Sequence, residues 1–83
     1  MTWRIQIFIQ LKEGVLDTQG KAVEHSLVSL GHSGLKKVKV GKYVQLWVEA
    51  PSADQARAEA ERMCADLLVN EIIEGYTLEV EAE

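Results

Sequence analysis

Few side chains in this sequence are of the kinds that make or break bonds, and their spacing limits what they can do. One cysteine, Cys64, and two histidines, His25 and His32, are the whole stock of thiol and imidazole. A nucleophilic thiolate needs a nearby base or cation. Cys64 instead falls within an apolar run at helical spacing, where it reads as a small buried hydrophobe. His25 lies on a helix flank away from Val23 and Leu27, and His32 sits in a loop flanked by glycines. The three share no metal-ligand spacing, so no metal site is predicted. Gly41-Lys42 lacks both the glycine-rich approach and the following Ser or Thr of a phosphate loop, which leaves a hairpin turn as its reading. The densest basic cluster is Lys36, Lys37, Lys39 and Lys42. It suits contact with an acidic surface on a larger partner, although lysines also guard strand edges without any ligand. The expectation is a chain with no catalytic residues and no cofactor site of its own.

The elements that would position these residues follow from periodicity. Residues 3–11 alternate, with Trp3, Ile5, Ile7, Ile9 and Leu11 on one side and Arg4, Gln6, Phe8 and Gln10 on the other, as in a strand with one buried face. Asp17 is placed to cap a helix along which Ala22, Val23, Leu27 and Leu30 recur at helical spacing, and Gly31 and Gly34 end it. Val38 and Val40 predict a short strand that turns at Gly41-Lys42 into a third strand through Val44, Leu46 and Val48. Ser52 and Gln55 form a capping box. The helix they open carries an apolar stripe of Ala53, Ala56, Ala60, Met63, Cys64, Leu67 and Leu68, flanked by the i,i+4 pairs Arg57/Glu61 and Arg62/Asp66. Tyr76, Leu78 and Val80 alternate as a fourth strand. The order β-α-β-β-α-β predicts an α+β fold, the ferredoxin-like plait, with a four-stranded antiparallel sheet and both helices on one face.

A chain of 83 residues is one domain, residues 1–83, and buries only roughly 60 to 65% of its unfolded surface. With 47% hydrophobic residues and no possible internal disulfide, it calls for help from oligomerisation or a partner. The lone cysteine, the lack of a basic apolar leader and the lack of any long apolar run predict a cytoplasmic protein that does not enter a membrane. Charge is polarised: residues 1–42 carry a net +4 and residues 43–83 a net −8, so the halves can present faces of opposite sign.

The side of the sheet opposite the helices is predicted to hold Phe8, Tyr43 and Trp47. Aromatics there are costly to leave in water, each worth about 2 kcal/mol or more on burial. Stacking of nucleic-acid bases would need a positive field, and Glu79 and Glu81 share that face. Nucleic acid is therefore excluded, and self-association or docking to another subunit is favoured, with Phe8 and Trp47 in a dimer contact.

The run Lys12-Glu13-Gly14-Val15-Leu16-Asp17-Thr18-Gln19-Gly20-Lys21-Ala22-Val23, followed by Leu30-Gly31, Val40-Gly41-Lys42, Cys64-Ala65-Asp66-Leu67-Leu68-Val69-Asn70 and Ile73-Glu74-Gly75-Tyr76, resembles PurS, the small subunit of phosphoribosylformylglycinamidine synthase. Nearly the whole chain is covered, and the specificity lies in order and spacing. Where that family often has Pro after the aspartate and after the asparagine, this chain has Thr18 and Glu71. The resemblance implies a non-catalytic subunit of an ATP-dependent, glutamine-hydrolysing ligase of purine biosynthesis. As a dimer or tetramer it would bridge the large synthetase subunit PurL, which uses ATP and Mg, and the glutaminase subunit PurQ, keeping ammonia within the complex. Lys12, Asp17, Gly20, Gly41 and Lys42 are its pattern residues, with Asn70 as the turn before the last strand and Lys42 as the side chain reaching a partner. The alternative is an ACT-like regulatory module that binds a small molecule. Acylphosphatase chemistry on the same fold would need an arginine between the first strand and first helix, where only Lys12 is available.

Overall fold

A computed structural model describes residues 1–83. Three strands form one antiparallel sheet: β1 (Thr2–Leu11), β2 (Lys42–Glu49) and β3 (Glu74–Ala82), in the order β2-β1-β3. Helix α1 (Thr18–Ser29) lies between β1 and β2, and α2 (Ala53–Met63) runs into a π-helical turn over Cys64–Leu68 before β3. β1 is central, pairing Ile5 with Leu46 on one edge and with Val80 on the other. The alternation that defined it places Ile5, Ile7 and Ile9 in the core, at most 2% exposed. Against them pack the small residues Ala56 and Ala60 of α2 with Cys64, all fully buried, together with Leu78 and Val69. Small side chains on α2 let its backbone come close to the sheet, and one helix thereby covers β1 and parts of both neighbours.

Two expectations are corrected. The sheet has three strands rather than four, because Val38 and Val40 make no strand and no hairpin with β2. The backbone N–H of Val40 is donated to the Asp17 carboxylate at 2.9 Å, and a Cβ on Gly20 would lie 2.8 Å from the Val38 carbonyl oxygen. The segment thus lies against the head of α1 and does not pair with β2. Nor do two helices share one face of the sheet: α1 packs against no other element. Its Val23 and Leu30 are exposed and Leu27 is only half-buried. With α1 projecting as an arm, the molecule extends 51 × 27 × 15 Å and has a radius of gyration of 16.3 Å, where a compact chain of this length would have about 12 Å.

The helix ends follow local chemistry. Asp17 caps α1 by accepting the Gly20 N–H at 2.8 Å. At the other end Gly31, at φ +104°, allows its own N–H to reach the Val28 carbonyl and the His32 N–H to reach the Leu27 carbonyl, a Schellman motif. Ser52 caps α2 by accepting the Gln55 N–H at 3.2 Å. The surface pairs differ from expectation: Arg62 engages Glu59, three residues back, and not Asp66. The π-helical turn, closed by the Val69 N–H on the Cys64 carbonyl at 3.0 Å, keeps Cys64 buried and turns Leu67 out, leaving it 85% exposed.

Gly41 has no room for a side chain, because a Cβ there would run into the Ile9 carbonyl oxygen of β1. Gly41→Ala is expected to destabilise the fold by about 1 to 3 kcal/mol, the usual range for overpacking. Gly34→Ala, which meets open space, should be near neutral. Urea unfolding of the two variants side by side checks this.

Candidate functional site

The bare face of the sheet is built from alternate residues of the three strands. Its rows run Phe8 between Tyr43 and Thr77, Gln6 between Gln45 and Glu79, and Arg4 between Trp47 and Glu81. Phe8 and Tyr43 form a tilted aromatic pair with centroids 5.1 Å apart, and Gln6 Nε2 donates to Tyr43 Oη at 2.8 Å. Trp47 stands four residues further along β2, about 13 Å away at strand rise. The aromatics are therefore a pair and a single ring separated by glutamines, not one contiguous cluster. All three are open to solvent: Phe8 is 42%, Tyr43 51% and Trp47 55% exposed. Beside Trp47, Arg4 reaches Glu81 at 2.5 Å, and its Nε is buried without a partner. Glu79 and Glu81 occupy the β3 side, which gives that edge a negative field unsuited to phosphates.

A second locus forms where the arm joins the sheet. The Asp17 carboxylate accepts from both Val40 and Gly20, and these two backbone N–H groups hold it below its ordinary value of 3.8. Gly20 is buried at this crossing. Lys12 and Lys42 both turn toward the 70–74 segment: Lys12 Nζ donates to the Glu71 carbonyl at 2.6 Å, and Lys42 Nζ meets Glu74 at 3.1 Å. Glu74 also accepts the Asn70 N–H at 2.8 Å, and this bond first, with Lys42 second, keeps its carboxyl below the usual range. Asn70 in turn accepts the N–H groups of Ile72 at its side chain and of Ile73 and Glu74 at its carbonyl, fixing the turn into β3. Lys39 pairs with Glu13 at 2.9 Å, whereas Lys36 and Lys37 have no carboxylate within ion-pair distance. A cleft of about 170 Å³ opens here, lined by Lys12, Lys21, Lys37 and Lys39 with Glu13 and Asp17.

Sequence reasoning read Asp17 as a helix cap, Gly20 as a close approach at the helix start and Asn70 as a turn, and read Gly41 as a hairpin turn that the missing strand at 38–40 removes. It missed that Asp17 also holds Val40 and that Glu74 gathers Lys42 and Asn70. The asparagine turn was visible in sequence, whereas the Glu74–Lys42 pair was not, because β2 and β3 are joined only across β1.

The chemistry of these groups is that of contact. Burial pushes the Cys64 thiol up, away from thiolate character. His25 and His32 are exposed and make no ion pair. No three of the His, Cys, Asp and Glu side chains converge as a metal site, and no helix is long and apolar enough to cross a membrane.

A three-stranded sheet with one bare, ring-bearing face and a basic cleft beside a projecting helix defines a small α+β association subunit. Residues 4–82 match the family described as PurS: phosphoribosylformylglycinamidine (FGAM) synthase, and the chain belongs to that family. It is 39% identical to phosphoribosylformylglycinamidine synthase subunit PurS of Bacillus subtilis over 95% of this chain and 93% of that one. With the same subunit of Synechocystis it shares 38% identity over 98% of this chain and 81% of that one. Among solved structures, Methanocaldococcus jannaschii PurS, a subunit of formylglycinamide ribonucleotide amidotransferase in the purine biosynthetic pathway, superimposes with a TM-score of 0.89 at 30% identity, covering 98% of each chain. A chain of PurLQS from Thermotoga maritima superimposes with a TM-score of 0.90 at 28% identity, over 98% of this chain and 99% of that one.

The Asp17 clamp carries a definite pH dependence. A carboxyl whose folded pKa is lowered stabilises the fold fully above its unfolded value of 3.8, and that contribution is lost as pH falls through the lower folded value. Asp17→Asn keeps one acceptor oxygen but cannot ionise. Its deficit in urea midpoint relative to the parent chain is expected to be largest at neutral pH and to shrink toward pH 3.

Proposed function

We propose that this chain is the non-catalytic small subunit of a phosphoribosylformylglycinamidine synthase, the ATP-dependent, glutamine-hydrolysing ligase of purine biosynthesis. In this reading it associates with itself, as a dimer or tetramer, and bridges the large synthetase subunit PurL and the glutaminase subunit PurQ, so that ammonia passes within the complex. ATP and Mg are used by the synthetase subunit, and the assembly works in the cytoplasm. The observation that carries the reading is the full-length likeness to a chain of PurLQS, joined to solvent-exposed rings at Phe8, Tyr43 and Trp47 that a companion polypeptide would shelter. The basic cleft with its unpaired Lys37 supplies a second contact, of a charge suited to an acidic partner surface. Lys12, at the cleft, and Lys42, at the start of β2, both hold the 70–74 turn against the sheet. The relatives named above support PurS over an ACT-like sensor.

The purified chain alone is expected to give no product from formylglycinamide ribonucleotide, glutamine and ATP, and turnover without other subunits would refute the scaffold role. Co-expressed with the two larger subunits of its source, it should co-purify with both. The double replacement Phe8→Ser/Trp47→Ser should keep the circular dichroism of the parent chain yet reduce that co-purification at least tenfold. Retention at the parent level would remove the bare face from the assembly.

A further inference from the structure

The cleft where α1 joins the sheet holds more positive charge than the fold uses. Four lysines, Lys12, Lys21, Lys37 and Lys39, line it against two carboxylates, Glu13 and Asp17. Asp17 is committed to the fold, because one of its oxygens accepts the Gly20 N–H and the other the Val40 N–H. Glu13 is not: its side chain is 84% exposed, and its partner is Lys39 Nζ at 2.9 Å. The bond from Lys39 first, with the charges of Lys39 and Lys37 behind it, holds the Glu13 carboxyl below its ordinary value of 4.5. The fields of two lysines thus meet at one exposed point, and a negative group of the chain already stands there.

That group is held loosely, since an exposed ion pair is worth only about 0.2 to 1 kcal/mol. Donors remain around it. Lys37 has no carboxylate within ion-pair distance. Lys12 Nζ gives one N–H to the Glu71 carbonyl and keeps others. The backbone N–H groups of Glu13, Gly14, Lys37 and Val38 donate to no atom of the chain. Much of the remaining lining is apolar, with Leu11, Val15, Leu16, Val38 and Val40. A volume of about 170 Å³ lies below the roughly 300 to 1,000 Å³ of sites for drug-sized ligands, so it suits a compact headgroup with a short organic part. Arginine, whose planar fork takes carboxylates two bonds at a time, is absent from the lining, and lysines bind phosphate as point charges.

The structure assigns this cleft as a binding site for a small phosphate monoester, whose headgroup displaces Glu13 and is held by Lys37 and Lys39 while its organic part lies against Leu16 and Val38. Such a headgroup carries about −1.5 to −2 charge at neutral pH, which matches the excess of lysines over carboxylates. Glu13 is the stand-in that keeps Lys39 paired while the cleft is free, so binding exchanges one ion pair for a stronger one. A bound ester and an acidic partner surface would contend for the same lysines, which makes this contact adjustable. The subunit role proposed above does not rest on the site.

The test is a titration of the isotope-labelled full chain with phenyl phosphate, followed by amide NMR shifts. Saturable shifts are expected at Gly14 and at Lys37, Val38 and Lys39, and none across β3. Inorganic phosphate should bind at least twofold more weakly, lacking the organic part. Lys37→Ala should raise the dissociation constant about fivefold, as loss of about 1 kcal/mol implies, and Lys37→Arg should restore most of it. Glu13→Gln, which frees Lys39, should lower the constant at least twofold. Each variant should keep the parent circular dichroism. Shifts that rise without saturating, or binding unchanged in Lys37→Ala/Lys39→Ala, would overturn the site. Equal affinity for inorganic phosphate would overturn the role of the organic part, and binding no tighter in Glu13→Gln would overturn the displacement. An oligoglutamate peptide that saturates the same amides where phenyl phosphate does not would overturn the phosphate ligand and make the cleft a dock for acidic side chains. None of these results bears on co-purification with the larger subunits, which tests the subunit role separately.

Discussion

Both edges of β1 are occupied by ladders, and that double engagement is the constraint on which the molecule depends. The strand supplies the three isoleucines of the core, and its partners β2 and β3 touch each other nowhere. Because only α2 lies over it, the core is a single seam of small helix residues against branched strand residues. The rest of the chain either extends this seam, as Val69 and Leu78 do, or leaves it altogether. Nine of 83 residues are buried, and burial among them raises the Cys64 thiol away from thiolate character.

The arm follows from one carboxylate. Asp17 sits where the chain leaves β1, and it is asked to begin a helix and to receive the returning backbone of Val40. Those two N–H groups fix how α1 and the 38–40 segment cross, with Gly20 giving the clearance. The return segment gives its Val40 N–H to this crossing and adds no fourth strand beside β2. An exposed edge on β2 and an exposed stripe on α1 are thus two results of the same local choice, and both are surfaces of a kind that a small monomer normally hides.

Much of this was legible in the residues. Period-two alternation located β1, β2 and β3 to within a residue or two, and Asp17, Gly31 and Ser52 gave the helix ends, since each acts through bonds only a few positions away. The apolar face of β1, the bare face with Phe8, Tyr43 and Trp47, and the inert setting of Cys64 were likewise readable from alternation and spacing. Val38 and Val40 misled because two branched residues before a glycine suit a strand, and nothing local reveals that a carboxylate more than twenty positions earlier takes the Val40 N–H. The stripe of α1 misled for a related reason: it predicts that a face will be covered, not which surface covers it. Lys42, read as the side chain that reaches a partner, also pairs within the chain with Glu74, which lies 32 positions ahead in sequence and is brought close only by the sheet.

The slab is 15 Å through its thinnest direction, about one sheet and one helix layer. With one seam of packed side chains between those two layers, a passage through this chain alone would have to displace core residues such as Ile5, Ile7, Ala56 and Ala60. If a diffusible intermediate is to be kept from bulk water in an assembly containing this chain, the chain can furnish a panel of the enclosure and no more. The conduit would then exist only along seams where separate polypeptides meet, and would vanish whenever they part.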